Sequence, residues 1–123
     1  MPLLAAHDVL YAGDMTTATV VYVDVDDTLV RTFGTKRVPR TEVVEHVRAL
    51  HASGAELYCW SAGGAAYAEE VAAELGLGSC FRAFLPKPHA LLDDQPPEAW
   101  RGFRTIHPNA CPGLAVGDYR PGT

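Results

Sequence analysis

Val20, Val21, Tyr22 and Val23 form an uninterrupted apolar, largely β-branched run that ends abruptly on Asp24-Val-Asp-Asp27. A run of that kind suits a strand covered on both faces, as in a parallel sheet. Parallel neighbours need crossover connections, and the following sequence supplies them. Thr41 is positioned as an N-cap, with Glu42 adding negative charge to the first turn. Val43, Val44, Val47 and Leu50 recur at helical spacing, and Gly54 marks the stop. Glu56–Trp60 then predicts a second strand with Ser61 at its carboxyl end. Residues 62–76 predict a second helix, opened by Gly63 and Gly64, striped by Ala68, Val71, Ala72 and Leu75, and closed by Gly76.

Further strands are expected at Phe81–Leu85, at Ala90–Leu92 running into Asp93-Asp94, and at Phe103–Ile106. Gln95-Pro-Pro-Glu98 is a turn, and the Pro- and Gly-rich tail from Asn109 is irregular. Residues 31–40 center on Gly34 and read as a short hairpin or flap. The fold class is therefore α/β: one Rossmann-like, three-layer domain with a mainly parallel sheet. The 123 residues fit one domain, with 1–17 and 109–123 as peripheral segments.

Composition narrows the function classes. With 48% hydrophobic and 20% charged residues the chain has the profile of a soluble globular protein. The formal charge of −5 argues against a broad nucleic-acid-binding face, without excluding a local basic patch. Cys59, Cys80 and Cys111 lack metal-type spacing and read as reduced thiols. No apolar run is long enough to span a bilayer, and Met1–His7 is a poor signal peptide, so the cytoplasm is the expected location.

In a parallel sheet, ligands gather beyond the carboxyl ends of the strands, where Asp24, Asp26, Ser61, Lys87, Asp93 and Asp94 are all expected. Asp24 and Asp26 repel unless something offsets their charge, and a hard divalent cation does so. Taken singly, each piece has a plainer account. Asp-x-Asp is often a solvated turn, Ser61 a helix cap, Lys87 a surface residue, and Asp93-Asp94 a turn. The ordered set carries more weight than its parts.

That ordered set resembles the haloacid dehalogenase-like hydrolase superfamily. Asp24-x-Asp26-x-Thr28-Leu29 matches the first motif, with Asp27 where glycine is commonest; Ser61 matches the second, Lys87 the third, and Leu91-Leu-Asp-Asp94 the fourth. The resemblance spans roughly residues 19–107. It implies a magnesium-dependent phosphomonoester hydrolase in which Asp24 is the nucleophile and forms an aspartyl phosphate. Asp26 is then the general acid and base, and Ser61 and Lys87 hold the phosphoryl oxygens. It implies Mg2+ bound by Asp24, the Asp26 carbonyl and Asp94, with Asp93 acting through water or on Lys87. Thr28, Ala62, Gly63 and Arg37 join as substrate contacts.

Leu114-Ala-Val-Gly-Asp118 offers a competing fourth motif, with Asp118 as the reserve ligand. Neither residues 31–55 nor residues 62–86 can house a cap domain, so selectivity falls to the flap, the tail or a second subunit. Arg31, Lys36, Arg37 and Arg40 beside the flap read either as phosphate readers or as a solvated hairpin. Trp60 reads first as core, and with Trp100 and Tyr67 as a candidate base-stacking ring. The substrate class is a phosphorylated small molecule or macromolecule. The alternatives are a catalytically weak binding module and a phospho-signaling domain.

Overall fold

The computed structural model describes residues 17–120; the expectations for residues 1–16 and 121–123 lie outside the described residues. Strand β1 (Val20–Asp24) leads through a turn into β2 (Val30–Phe33) and β3 (Lys36–Pro39). Helix α1 (Thr41–Ala52), strand β4 (Glu56–Ser61), helix α2 (Ala65–Glu74) and strand β5 (Phe81–Pro86) follow. The sheet runs β1-β4-β5 and is parallel throughout, while β2 and β3 form a separate antiparallel hairpin. This is a small α/β domain, and the hairpin is the expected flap. Gly34, at a φ of 62°, supplies the left-handed conformation its two-residue turn requires.

Each helix connects neighboring parallel strands in the same sense along the sheet. Right-handed crossovers of that kind place both helices on one face. The burial pattern agrees. Val23, Leu57, Cys59 and Phe81 lie buried in a single core with Val43, Val44, Val47 and Leu50 of α1 and Ala68, Val71 and Ala72 of α2. Arg48 ties the helices together by donating to the carbonyls of Leu75 (3.0 Å) and Gly76 (3.3 Å), the orphan acceptors at the end of α2. Gly76, at a φ of 72°, makes that end.

The opposite face departs from expectation. Val20 is 52% exposed and Tyr22 46%, so among the described residues the apolar run of β1 is covered on one side only. Among the described residues the domain has two layers rather than three. Trp60, first read as core, lies on this open face, half-buried. It meets the Tyr22 ring edge-on at 4.9 Å, and Tyr22 meets Tyr58 at 5.1 Å.

Beyond Lys87 the two expected strands do not form. Residues 90–92 and 103–106 have no ladder partner among the described residues, and Leu92 is fully exposed. Pro86, Pro88, Pro96 and Pro97 bracket the first of these segments and remove the N–H groups a ladder would use. Residues 114–118 are likewise not a strand: Val116–Tyr119 is a 3-10 turn. Thr41 is the first helical residue of α1 rather than its cap, which is Arg40 without a side-chain bond. The tail, expected to be peripheral, seals α1. Cys111 is buried, Asn109 accepts from Arg40 at 2.6 Å, and Tyr119 bonds His46 at 2.6 Å. All three cysteines are free thiols, and burial pushes Cys59 up to about 12, which keeps it an inert core thiol.

Candidate active site

The parallel register aligns Asp24 with Trp60, Trp60 with Leu85, and Ser61 with Pro86. Asp24, Ser61 and Lys87 therefore stand at the carboxyl ends of three adjacent strands, the position where an open α/β sheet presents its ligands. Backbone bonds fix the ends to one another: the Lys87 N–H donates to the Ser61 carbonyl at 2.9 Å.

Asp24 is held at both oxygens. Lys87 Nζ donates to Oδ1 at 3.3 Å, and Thr28 Oγ1 donates to Oδ2 at 3.3 Å. Thr28 reaches back because the chain turns tightly after β1. The Val25 carbonyl accepts from the N–H groups of Thr28, Leu29 and Val30, and the Asp27 N–H donates to the Val30 carbonyl at 2.7 Å. That turn forces Asp27 to a φ of 62°. The left-handed region favors glycine and, among other residues, Asp and Asn, which is a physical reason for a small or acidic residue here.

Asp26 has its own clamp. Its Oδ1 accepts from Thr32 Oγ1 on the flap at 2.9 Å and from the Tyr67 hydroxyl on α2 at 2.8 Å. Tyr67 is pushed up by burial and further by its bond to Asp26, so its hydroxyl stays protonated and a donor. Neither Thr32 nor Tyr67 was identified from sequence as a partner of Asp26. Tyr67 stands at the third position of α2, just beyond the Gly63-Gly64 opening, and only the fold brings it to residue 26. Gly63 makes this approach feasible, because a Cβ there would come within 3.0 Å of the Tyr67 ring.

Ser61 is 1% exposed, and its Oγ accepts from the Gly63 N–H at 3.0 Å. It shapes the turn into α2 without capping the helix, whose cap is Gly64. The Gly63 N–H, expected to face an anion, is spent on Ser61. The hydroxyl hydrogen of Ser61 is left to donate, and Ala62 forms the exposed outer surface of the turn.

Arg37 faces α2 instead of the strand ends. It pairs with Glu74 and with Glu70 at 2.9 Å, and lies 5.5 Å from the Tyr67 ring center. Its guanidinium is raised above its usual range, first by the bond to Glu74, and Glu74 is correspondingly lowered. The residue expected to read substrate thus fastens the flap to α2. Arg40 is also turned inward, onto Glu42 and Asn109. Arg31 and Lys36 remain the exposed cations of the flap.

The acids expected to complete a metal site are not gathered with Asp24 and Asp26. Among the described residues no group of three or more His, Cys, Asp or Glu side chains is placed to hold a metal. Asp93 and Asp94 instead line a cleft shared with Trp60 and Lys87. Asp93 Oδ1 accepts from the Gln95 N–H at 3.0 Å, closing a local turn. Asp118 Oδ2 accepts from the Ala115 N–H at 2.8 Å, which commits it to its own 3-10 turn. The donors that remain, a carboxylate oxygen of Asp24 and the backbone carbonyl of Asp26, are hard oxygens of the kind that suits Mg2+, which is commonly held by one or two carboxylates together with waters and substrate phosphate.

No α-helix among the described residues is long and apolar enough to cross a membrane. No family model, curated protein or solved structure matches this chain, so the site rests on its own residues.

Proposed function

We propose that the chain is a phosphomonoester hydrolase of haloacid dehalogenase type, on a Rossmann-like core, with Asp24 as nucleophile. The observation that carries this is the paired clamping of the two acids. Asp24 is held by an ammonium and a hydroxyl, and Asp26 is held through Oδ1 alone, by Thr32 and Tyr67. A solvated acidic turn has no need of four donors drawn from the post-β1 turn, the flap, α2 and the end of β5.

Asp24 attacks phosphorus, forming an Oδ–P bond as the bond from phosphorus to the leaving oxygen breaks. Asp26 gives its proton to that oxygen from Oδ2, the atom left outside its clamp. The resulting carboxylate then takes a proton from the water that attacks the aspartyl phosphate, which breaks the Oδ–P bond and frees phosphate and Asp24. Lys87 moves its ammonium from Asp24 to the transferring oxygens as negative charge leaves the carboxylate. Ser61 donates its hydroxyl proton to the same group. A carboxylate oxygen of Asp24 and the backbone carbonyl of Asp26 would hold Mg2+, which would supply charge neutralization for the approaching phosphate.

The test is phosphate release from a panel of phosphomonoesters, with and without Mg2+, alongside Asp24→Asn. Magnesium-dependent release that disappears in the variant is the expected result. Release that survives in Asp24→Asn removes it as nucleophile. No release from any ester, with acetyl phosphate labeling Asp24 stably, would favor the phospho-signaling alternative.

A further inference from the structure

We infer that the leaving group this site accepts is a nucleoside whose base carries an exocyclic amino group, stacked on Trp60; this rests on the phosphatase reading above. The cleft beside Lys87 has a volume of about 640 Å³ and is walled by Trp60, Leu91, Pro97, Asp93 and Asp94. Sites for small molecules run about 300–1,000 Å³ and combine apolar walls with a few placed polar groups.

Three features select the ligand. The first is continuity with the reacting center. Lys87 lines the cleft and also bonds Asp24, while Trp60 is the register partner of Asp24 on the neighboring strand. A phosphate ester brought before Asp24 would therefore lie beside Lys87, at the edge of this cleft, with the indole on the neighboring strand.

The second is the indole itself. Trp60 is half-buried, braced edge-on by Tyr22 at 78°, and lines the cleft. A braced flat ring with proline beside it offers a stacking surface at little entropic cost, and every base has a π-face to place there. A sugar phosphate or alkyl phosphate leaves that surface uncovered.

The third is the polarity of the far wall. Asp93 keeps one carboxylate oxygen beyond its local turn, and Asp94 has no hydrogen-bond partner among the described residues. Carboxylates accept hydrogen bonds only, so they pair with amino groups and repel ring carbonyls presented at the same position. Adenine satisfies them, whereas hypoxanthine sets a carbonyl against them. The same acids would repel a second phosphate, which selects monophosphates over longer chains.

The experiment measures kcat/KM for adenosine monophosphate, inosine monophosphate and ribose phosphate in wild type, Trp60→Leu and Trp60→Phe. Wild type should prefer adenosine monophosphate over ribose phosphate. Trp60→Leu should lower that ratio by about 5- to 150-fold, the contribution of one stacked base, and Trp60→Phe should keep most of it. Preference for adenosine over inosine monophosphate should narrow in Asp94→Ala. Ribose phosphate turned over as efficiently as adenosine monophosphate would overturn the inference and leave the phosphatase reading standing. If no ester is hydrolyzed the phosphatase reading fails, and binding decides the cleft. In Trp100→Phe, where Trp60 is the remaining tryptophan, adenosine monophosphate should quench fluorescence and ribose phosphate should not. Absence of quenching overturns the assignment.

Discussion

Residues 20–87 and residues 88–120 are held by different means. In the first stretch the backbone is paired through a parallel ladder, a hairpin and two helices, and the side chains of Leu29, Leu57 and Val71 are fully enclosed. In the second, backbone bonding runs through short turns, and contact with the core comes from a few residues, chiefly Cys111, Ile106, Val116 and Tyr119. A ladder fixes where each strand ends to within a fraction of a residue spacing, so groups at strand ends converge reproducibly. A chain of turns fixes only its own neighbors. The acids of the two stretches differ accordingly: Asp24 and Asp26 each accept a hydrogen bond from a residue distant in sequence, Lys87 and Tyr67 respectively, whereas Asp93 and Asp118 bond backbone two or three positions away.

The largest effect expected from this contrast is on turnover. Asp24→Asn should lower phosphate release by about 10³-fold or more, as removal of a nucleophile does. Asp94→Asn should lower it by about 10- to 100-fold at most, the scale of one hydrogen bond to a charged group. Equal losses in steady-state assays would break the comparison and return Asp94 to the metal. Stability divides the same way. Leu57→Ala opens a cavity under the sheet and should cost about 2–5 kcal/mol in urea unfolding. Leu92→Ala, at a fully exposed side chain, should stay within about 0.5 kcal/mol. A large loss at Leu92 would mean that residues 88–97 are packed against something the fold places there.

The same division explains what the sequence could say in advance. Strands β1, β4 and β5, both helices and the flap were legible because apolar periodicity and Gly stops are local signals, and they agree with the packing that follows. Asp24, Ser61 and Lys87 were legible as strand-end residues once those strands were, whereas Asp26 lies in the turn two residues beyond β1. Residues 90–92 and 103–106 misled because a short segment with two or three apolar residues satisfies a strand pattern without guaranteeing a neighbor to pair with, and the flanking prolines decided against one. Trp60 misled for another reason. Alternation places it with Tyr22 and Tyr58, but which face the helices cover depends on crossover handedness, and periodicity carries no such information. Thr32 and Tyr67 were invisible as partners of Asp26, since the first depends on hairpin geometry and the second on a contact 41 residues apart.

Tyr67→Phe sharpens the contrast within the site. The substitution keeps the ring between Gly63 and Arg37 and removes only the donor to Asp26. Hydrogen bonds to charged groups are worth about 1.5–3 kcal/mol, so kcat should fall about 10- to 100-fold with KM little changed. A loss in KM alone would make Tyr67 a substrate contact. Arg37→Ala acts one step further out, through the flap. It should loosen residues 30–39, seen as faster amide exchange there, with a smaller loss of kcat than Tyr67→Phe. Unchanged exchange would mean that the pairs with Glu70 and Glu74 do not hold the flap.

The smallest effect lies where the two stretches meet, at His46 and Tyr119. Burial lowers the His46 imidazole below its usual value, and its Nε2 shares a hydrogen with the Tyr119 hydroxyl at 2.6 Å. Tyr119 is pushed up to about 12 by burial, so it remains a neutral phenol across the accessible range. With His46 the folded state holds its proton less tightly than the unfolded state does. Between the folded and unfolded values, therefore, unfolding takes up a proton, and stability rises with pH. The contribution is complete above about pH 6.5, the unfolded value, and is lost as pH falls from there toward the lowered folded value. Arg40, Glu42 and Glu45 lie on or beside the same helix, and the first two are paired with one another, which leaves burial as the dominant influence. Thermal unfolding at pH 7.5 and pH 5.5 should show wild type losing more stability on acidification than His46→Gln. Because the amide still offers Tyr119 a partner, the difference isolates the proton from the contact. Identical slopes in the two proteins would show that the tail docks on α1 by packing alone, with His46 serving only as a hydrogen-bonding surface.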